Sequence, residues 1–327
     1  MGVDPGPDHA RFCARARMGG TSVFRSAIAA ALLGCAPWAG AAEASGIATI
    51  VEGKAVVIRA LSKLDAAVGV RLLADDLVHT GKDTFMRIEY DDGTSVHVGP
   101  ETLLQLNPPS RRKSERPGLY LLSGWLKLIS GKAGTRCSFR SPQFDVLELS
   151  GAVATRVEAG SGAVFVEQGT ARWVDRRVRG APPVSLKSGD YLSIRQDDAA
   201  SVQGRPAQDF LSSVPRAFRD TLPPGHPPAV AAKSLGAFSY SEVESWVNAE
   251  PPIRRQFVRL WRAKADDEAF RASLEGSLSL HPEWGPVLYP ELYEPKPPQQ
   301  ATPSAVTPVA GPVTVPVPEP QIGAGPH

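Results

Sequence analysis

Cysteine is scarce in this 327-residue chain: there are three, Cys13, Cys35 and Cys137, and no two stand in a C-x-x-C spacing. That excludes thiol exchange and thiolate-held zinc as organising chemistry. The sequence also lacks G-x-S-x-G, H-E-x-x-H and Walker motifs, which removes the usual constellations for acyl transfer, zinc hydrolysis and nucleotide binding. Ser110-Arg111-Arg112-Lys113 matches S-x-x-K by letters alone, because it follows Pro108-Pro109 in a charged loop with no helix start to aim the serine at its lysine. No apolar run is long enough to span a bilayer as a helix. A one-signed charge excess is missing as well. The formal net charge is +2, and the first 41 residues hold four arginines against two aspartates, so the remainder balances at 32 basic and 32 acidic residues. Whole-chain charge therefore gives no reason to propose nucleic acid as a partner.

What the sequence has in abundance is strand-like alternation punctuated by glycine turns. From Gly46 to Arg195 the turns Glu52-Gly53, Thr80-Gly81, Asp92-Gly93, Ser123-Gly124, Ser130-Gly131, Gly160-Ser161-Gly162 and Ser188-Gly189 set the rhythm of an all-β sandwich or roll. The clearest unit is Phe85–Tyr90, Asp91-Asp92-Gly93, then Thr94–Val98, where apolar side chains fall on every second position around an Asp-Gly hairpin signal. Further half-buried strands are expected at Ile47–Val51, Ala55–Ile58, Gly118–Ile129, Phe144–Leu149, Val153–Val157, Val164–Val166 and Tyr191–Ile194.

In order along the chain, these segments resemble the FecR-like periplasmic domain family. The resemblance is carried by Gly46-Ile47-Ala48-Thr49-Ile50-Val51-Glu52-Gly53, by Leu73–Thr80, by Met86–Thr102 around Asp92-Gly93-Thr94-Ser95, by Leu119–Leu126, and by Phe144–Val157 with Val164–Thr170. It departs from the family at Ala74, where a glycine is usual, and at Gly151-Ala152-Val153-Ala154, where Gly-Thr-x-Phe is common. The resemblance covers a little under half of the chain and implies a β domain in the bacterial envelope that senses, binds or scaffolds. Family members typically join this domain through one transmembrane helix to a cytoplasmic anti-sigma segment. Neither is legible here, so direct contact with a cytoplasmic sigma factor is not expected.

The expected organisation is mainly β: residues 1–41 an upstream extension and signal peptide, 46–196 the FecR-like domain, 197–238 a linker, 239–294 an α-helical appendage, and 295–327 a disordered proline-rich tail. Met18–Ala41 reads as a secretory signal, with Arg25, the apolar Ser26–Ala36 and the small-residue site Ala39-Gly40-Ala41. This predicts a periplasmic protein whose native start is Met18. Leu32-Leu33-Gly34-Cys35 resembles a lipoprotein cleavage box, which makes Cys35 a lipidation candidate and an outer-membrane lipoprotein the minority alternative. With cleavage after Ala41, Cys137 remains alone and is expected to be a structural thiol in a strand. In the appendage, Ser239 with Glu242 forms a capping box, Ile253, Phe257, Leu260 and Trp261 share a helix face, and Asp266 or Asp267 caps a third helix bearing Phe270, Leu274 and Leu278. The tail carries ten prolines in 33 residues and would reach roughly 100 Å if fully extended as polyproline II.

Candidate interaction residues are two basic clusters, Arg111, Arg112 and Lys113, and Arg172, Trp173, Arg176 and Arg177, since arginine grips carboxylates and phosphates in a bidentate way. The expected partner is another envelope protein. The alternative is peptidoglycan or another wall glycan, with Trp125, Trp173 or Trp261 stacking on sugars. No catalytic residue, cofactor or metal is expected: His79 and His97 are read as structural rather than as ligands with Asp75, Asp76 or Glu89. Asp75 and Asp76 do not form a catalytic pair, because adjacent strand residues point to opposite faces. The aromatic segment His281–Tyr293 is expected to dock within the molecule.

Overall fold

The computed structural model describes residues 44–107, 118–132, 134–196, 198–293 and 311. The segment read as a signal, with Cys35, the cluster Arg111, Arg112 and Lys113, and the proline-rich stretch from residue 295 lie outside these described residues, apart from Gly311. The first strands are β1 (Ala44–Glu52), β2 (Ala55–Arg59), β3 (Ser62–Asp65), β4 (Arg71–Leu73), β5 (Leu77–Thr80), β6 (Phe85–Glu89), β7 (Ser95–Val98) and β8 (Leu103–Leu106). They are followed by the long strand β9 (Gly118–Ile129), then β10 (Cys137–Arg140), β11 (Phe144–Glu158), β12 (Ser161–Asp175), β13 (Val184–Lys187), β14 (Tyr191–Ile194), β15 (Ser201–Gln203) and β16 (Ser234–Gly236). Among the described residues the α-helices are α1 (Gln208–Ser213), α2 (Tyr240–Val247), α3 (Pro251–Leu260), α4 (Glu268–Gly276), α5 (Gly285–Leu288) and α6 (Pro290–Tyr293).

The protein is mainly β, built on one mixed sheet whose strands run in the order β15-β14-β12-β11-β10-β9-β8-β5-β2-β3-β16, with β1, β4, β6, β7 and β13 branching off it. The hairpin expected around Asp92-Gly93 forms: Met86 faces Val98 and Glu89 faces Ser95 across β6 and β7. β9 is the hub. Its first half pairs with β8 and, in parallel, with β10, while its second half pairs with β7 and β11.

This double use of β9 explains a correction to the turn assignment. Ser123-Gly124 is not a turn but the middle of a continuous strand. Gly124 takes φ +100°, and a Cβ there would lie 2.4 Å from both Cα and Oγ1 of Thr102. Its missing side chain lets Thr102 come in and exchange hydrogen bonds with the Trp125 backbone, at 2.9 Å from its N–H and 3.2 Å to its carbonyl. Likewise, the runs expected as separate strands on either side of Gly151 form one 15-residue strand, β11, with bulges between Leu147 and Ser150 and between Ala152 and Val153.

The main core fills the inner face of the folded sheet with Val57, Leu72, Val78, Met86, Ile88, Val98, Leu121, Leu126, Phe144, Val164 and Trp173. The outer faces are covered too, by two C-terminal segments. Residues 197–238, expected as a linker, contribute β15, α1 and β16 and lay Phe210 and Phe218 against Phe85, Trp125 and Tyr191. The helices α2 to α5 cover a different face through Trp246, Phe257, Trp261 and Trp284, which pack with Ile58, Leu77 and Tyr120. Glu242 accepts the Ser239 N–H at 2.8 Å, as the capping box requires, and Asp267 accepts the Phe270 N–H at 3.0 Å to cap α4. Pro251 and Pro252 open α3 rather than merely separating it, consistent with proline's tolerance in a first turn. Leu260 is the exception on the expected apolar face of α3, at 40% exposure, while Ile253, Phe257 and Trp261 are buried.

Candidate functional site

Several ionisable side chains hold covers onto the sheet. On one outer face, Arg87 donates to Thr49 Oγ1 at 2.8 Å and to the Pro223 carbonyl at 2.9 Å, and Glu89 accepts the Gly225 N–H at 2.9 Å. Lys127 donates to the Phe218 carbonyl at 2.5 Å and pairs with Glu167 at 2.6 Å. Strand positions that look solvent-facing thus bind the backbone of a strap formed by residues 207–225. His97 lies under that strap with its ring edge-on to Phe85 and Phe218. Burial, reinforced by Lys127 and Arg87, holds its pKa down at about 3.

On the other face, His79 Nε2 accepts the indole N–H of Trp246 at 2.7 Å, so the imidazole must be neutral at that nitrogen. Burial lowers its pKa to about 4, against an opposing pull from Glu242. Trp261 donates to the Ala60 carbonyl at 3.0 Å, and Gln105 and Gln256 exchange hydrogen bonds at 2.9 and 3.0 Å. Arg176 makes a bidentate pair with Glu250 at 2.7 and 3.0 Å, donates to the Ser141 carbonyl, and lies 3.5 Å from Asp145. It is therefore a clamp between β12 and the start of α3. Arg177 is tied to Asp175 at 2.7 and 3.0 Å. His281 is fully buried beside Asn248, and Trp284 and Leu288 are buried with it, whereas Leu292 and Tyr293 at the end of the aromatic segment are exposed.

The tryptophans proposed as sugar platforms are corrected by their burial. Trp173 is 2% exposed and packs on Phe144 with centroids 6.1 Å apart; Trp125 is 7% exposed and Trp261 fully buried. None presents a ring face to solvent. Asp75 and Asp76 occupy a turn between β4 and β5 instead of a strand. Asp75 is exposed, with φ +67°, while Asp76 is 1% exposed and receives Arg59 at 2.6 and 2.8 Å and the Leu73 N–H at 2.8 Å. Cys137 is buried 3.6 Å from Thr94 Oγ1, and burial raises its pKa. Among the described residues no group of three or more His, Cys, Asp or Glu is placed to hold a metal, and no helix is long and apolar enough to cross a membrane.

Among the described residues, Arg172 of the second basic cluster stays at the surface, in a groove of about 780 Å³ over β11 to β13 and the loop before β10. Register assembles it. Thr170 stands between Ser150 and Lys187, and Arg172 stands beside Ser185, all on the outer face, while the alternate residues Ala171, Trp173 and Leu186 enter the core. Arg172, identified from sequence, meets Arg136 and Glu148, which were not. Glu148 Oε1 receives Arg172 Nη1 at 2.6 Å, and its Oε2 lies 3.5 Å from Arg136 Nη1. The side chains are 43% (Glu148), 43% (Arg172) and 71% (Arg136) exposed, so these are surface ion pairs that water and solutes reach. Lys187 and Asp190 complete the charged lining. The bulge in β11 turns Glu148 toward the arginines with φ +50°, and no sequence pattern marks that bulge.

The neighbouring edge is blunted. Lys187 N–H is capped by Asp190 Oδ2 at 2.9 Å, and Pro182-Pro183 directly before β13 supply no N–H. The groove therefore offers side chains, not a free strand edge, to an occupant.

No protein-family model and no curated protein matches the chain. Solved structures that do match include two crystal structures of a candidate anti-sigma factor from Parabacteroides distasonis ATCC 8503, at 1.65 and 2.50 Å resolution. They are 16% and 17% identical, each with a TM-score of 0.35, and each alignment covers 42% of this chain. The matched part spans 63% and 64% of those chains, less than two thirds of their length. A likeness of that size carries neither fold nor function across.

Proposed function

We propose that this chain is a non-enzymatic, exported interaction module of the bacterial envelope, built on a FecR-like β domain and acting on another envelope protein through the groove over β11 to β13. The observation that carries the reading is the convergence of Arg136 and Arg172 on a solvent-accessible carboxylate, flanked by Lys187. The other charged residues discussed above serve the fold: Arg87, Lys127 and Arg176 are used in holding the strap and helices. Support also comes from the order of FecR-like motifs between Gly46 and Thr170 and from the signal-like Met18–Ala41. A wall-glycan reading loses its aromatic platforms, since Trp125, Trp173 and Trp261 are buried.

The test is fractionation and crosslinking in a Gram-negative host. The expected outcome is recovery in the periplasmic or outer-membrane fraction, crosslinked to one envelope protein, with Arg136→Ala/Arg172→Ala reducing the yield. Retention in the cytoplasm, or recovery of peptidoglycan fragments alone, would overturn the reading.

A further inference from the structure

Glu148 occupies an unusual position for an exposed glutamate. It sits in the left-handed region at φ +50°, a conformation that costs a non-glycine residue energy unless its surroundings hold it there. What holds it is a bulge that places its carboxylate between two arginines, Arg172 on β12 and Arg136 in the loop before β10, one on each oxygen. The Lys187 ammonium, two strands away on β13, adds a third positive charge to the lining. The lining otherwise consists mainly of hydroxyls, from Thr135, Ser150, Thr170 and Ser185, and contains no aromatic ring. Its formal charge is three basic groups, Arg136, Arg172 and Lys187, against Glu148 and Asp190.

We propose that the groove is a carboxylate-recognition site for an acidic peptide segment of a partner protein, and that Glu148 is its built-in competitor, occupying the arginines until a partner carboxylate replaces it. This deepens the interaction-module reading and rests on it. Charge complementarity selects the occupant: two exposed arginines that already bind one carboxylate bind another in the same way. The hydroxyl lining serves a peptide backbone, whereas the lack of an aromatic ring leaves a sugar face nothing to stack on. Because β13 is capped by Asp190 and preceded by two prolines, the peptide binds through its side chains without adding a strand. The exchange needs no large rearrangement, since both ion pairs are solvent-exposed and each is replaced by an equivalent one.

The experiment uses the full chain and a fluorescent hexaglutamate peptide, followed by anisotropy at low and moderate salt, with hexaglutamine as the control probe. Glu148→Gln removes the competing charge and is expected to tighten hexaglutamate binding about two- to tenfold, within the range set by losing two exposed ion pairs. Arg172→Ala and Arg136→Ala weaken it, and hexaglutamine does not bind. Inorganic phosphate at millimolar concentration and soluble muropeptides serve as competitors. Displacement by either at concentrations below those needed for free hexaglutamate would overturn the choice of an acidic peptide. Unchanged or weaker binding by Glu148→Gln, with the arginine variants still impaired, would overturn the competitor role while leaving the interaction-module reading intact. No binding by either wild type or Glu148→Gln would overturn the site itself, and the crosslinking experiment would still decide the broader reading. Unchanged thermal melting of each variant separates loss of binding from loss of fold.

Discussion

Phe218→Ala is the perturbation that most directly probes the strap. The ring is 1% exposed and packs with centroids 6.3 Å from Phe85, 6.2 Å from His97 and 6.3 Å from Trp125. Phe→Ala at a buried site costs about 3–5 kcal/mol, and a strap lying on an outer face relaxes more readily than a central core, so we expect about 3 kcal/mol. For a folded unit of this size, about 2–4 °C is lost per kcal/mol, giving a melting temperature lower by roughly 6–12 °C. A second readout is local. His97 is held at about 3 chiefly by burial beneath this ring, so loosening the strap raises its pKa toward the ordinary 6.5. Calorimetry measures the first effect, and histidine NMR titration the second. A melting temperature within 2 °C of wild type, with His97 still silent above pH 5, would refute the idea that Phe218 seals this face.

Acid sensitivity follows from both strand histidines. His79 and His97 have folded pKa values of about 4 and about 3 against an ordinary 6.5, so the unfolded chain binds more protons between them. Their stabilising contribution is complete above about pH 6.5 and falls as pH drops toward 4, by roughly 1 kcal/mol per pH unit for each histidine. Urea midpoints at pH 7 and pH 5 check this, and His79→Gln, which keeps an acceptor for Trp246 without titrating, should remove part of the slope; a flat wild-type profile would contradict it. Arg176→Ala leaves Glu250 and Asp145 without their shared partner and should cost about 1–3 kcal/mol in urea unfolding. Arg176→Lys should recover little of that, because an ammonium cannot reproduce the bidentate fork. Gly169→Ala places a Cβ 1.8 Å from the Ser150 carbonyl at φ +79°, so the variant should express as insoluble or strongly destabilised protein, whereas Gly134→Ala, at φ +94° but with open space around it, should carry only the backbone strain, about 1–3 kcal/mol.

Much of the local structure was legible in the sequence. The boundaries read for β9 and β14, Gly118–Ile129 and Tyr191–Ile194, coincide with the strands, because each is a dense β-forming run bounded by turn residues. The capping residues Ser239 and Asp267 were visible for the same local reason. What stayed hidden depends on contacts distant in sequence. Arg87, Glu89 and Lys127 look solvent-facing by alternation, yet their partners Pro223, Gly225 and Phe218 lie about ninety or more residues further on. Trp173 read as a surface aromatic beside arginines, but alternation along β12 turns it inward while Arg172 stays outside. The groove was found only in part, through Arg172. Glu148 and Lys187 come from two other strands and Arg136 from the loop before β10, and only the register and the unmarked bulge in β11 bring them together.

The measurement that most directly tests the interaction account is photo-crosslinking in intact cells from a probe amino acid at Ser185, an exposed residue in the groove wall. The account predicts one dominant envelope protein, crosslinked through a segment rich in Asp and Glu, with yield raised by Glu148→Gln and reduced by Arg172→Ala. A crosslink pattern indifferent to both substitutions, or consisting only of muropeptides, would contradict it.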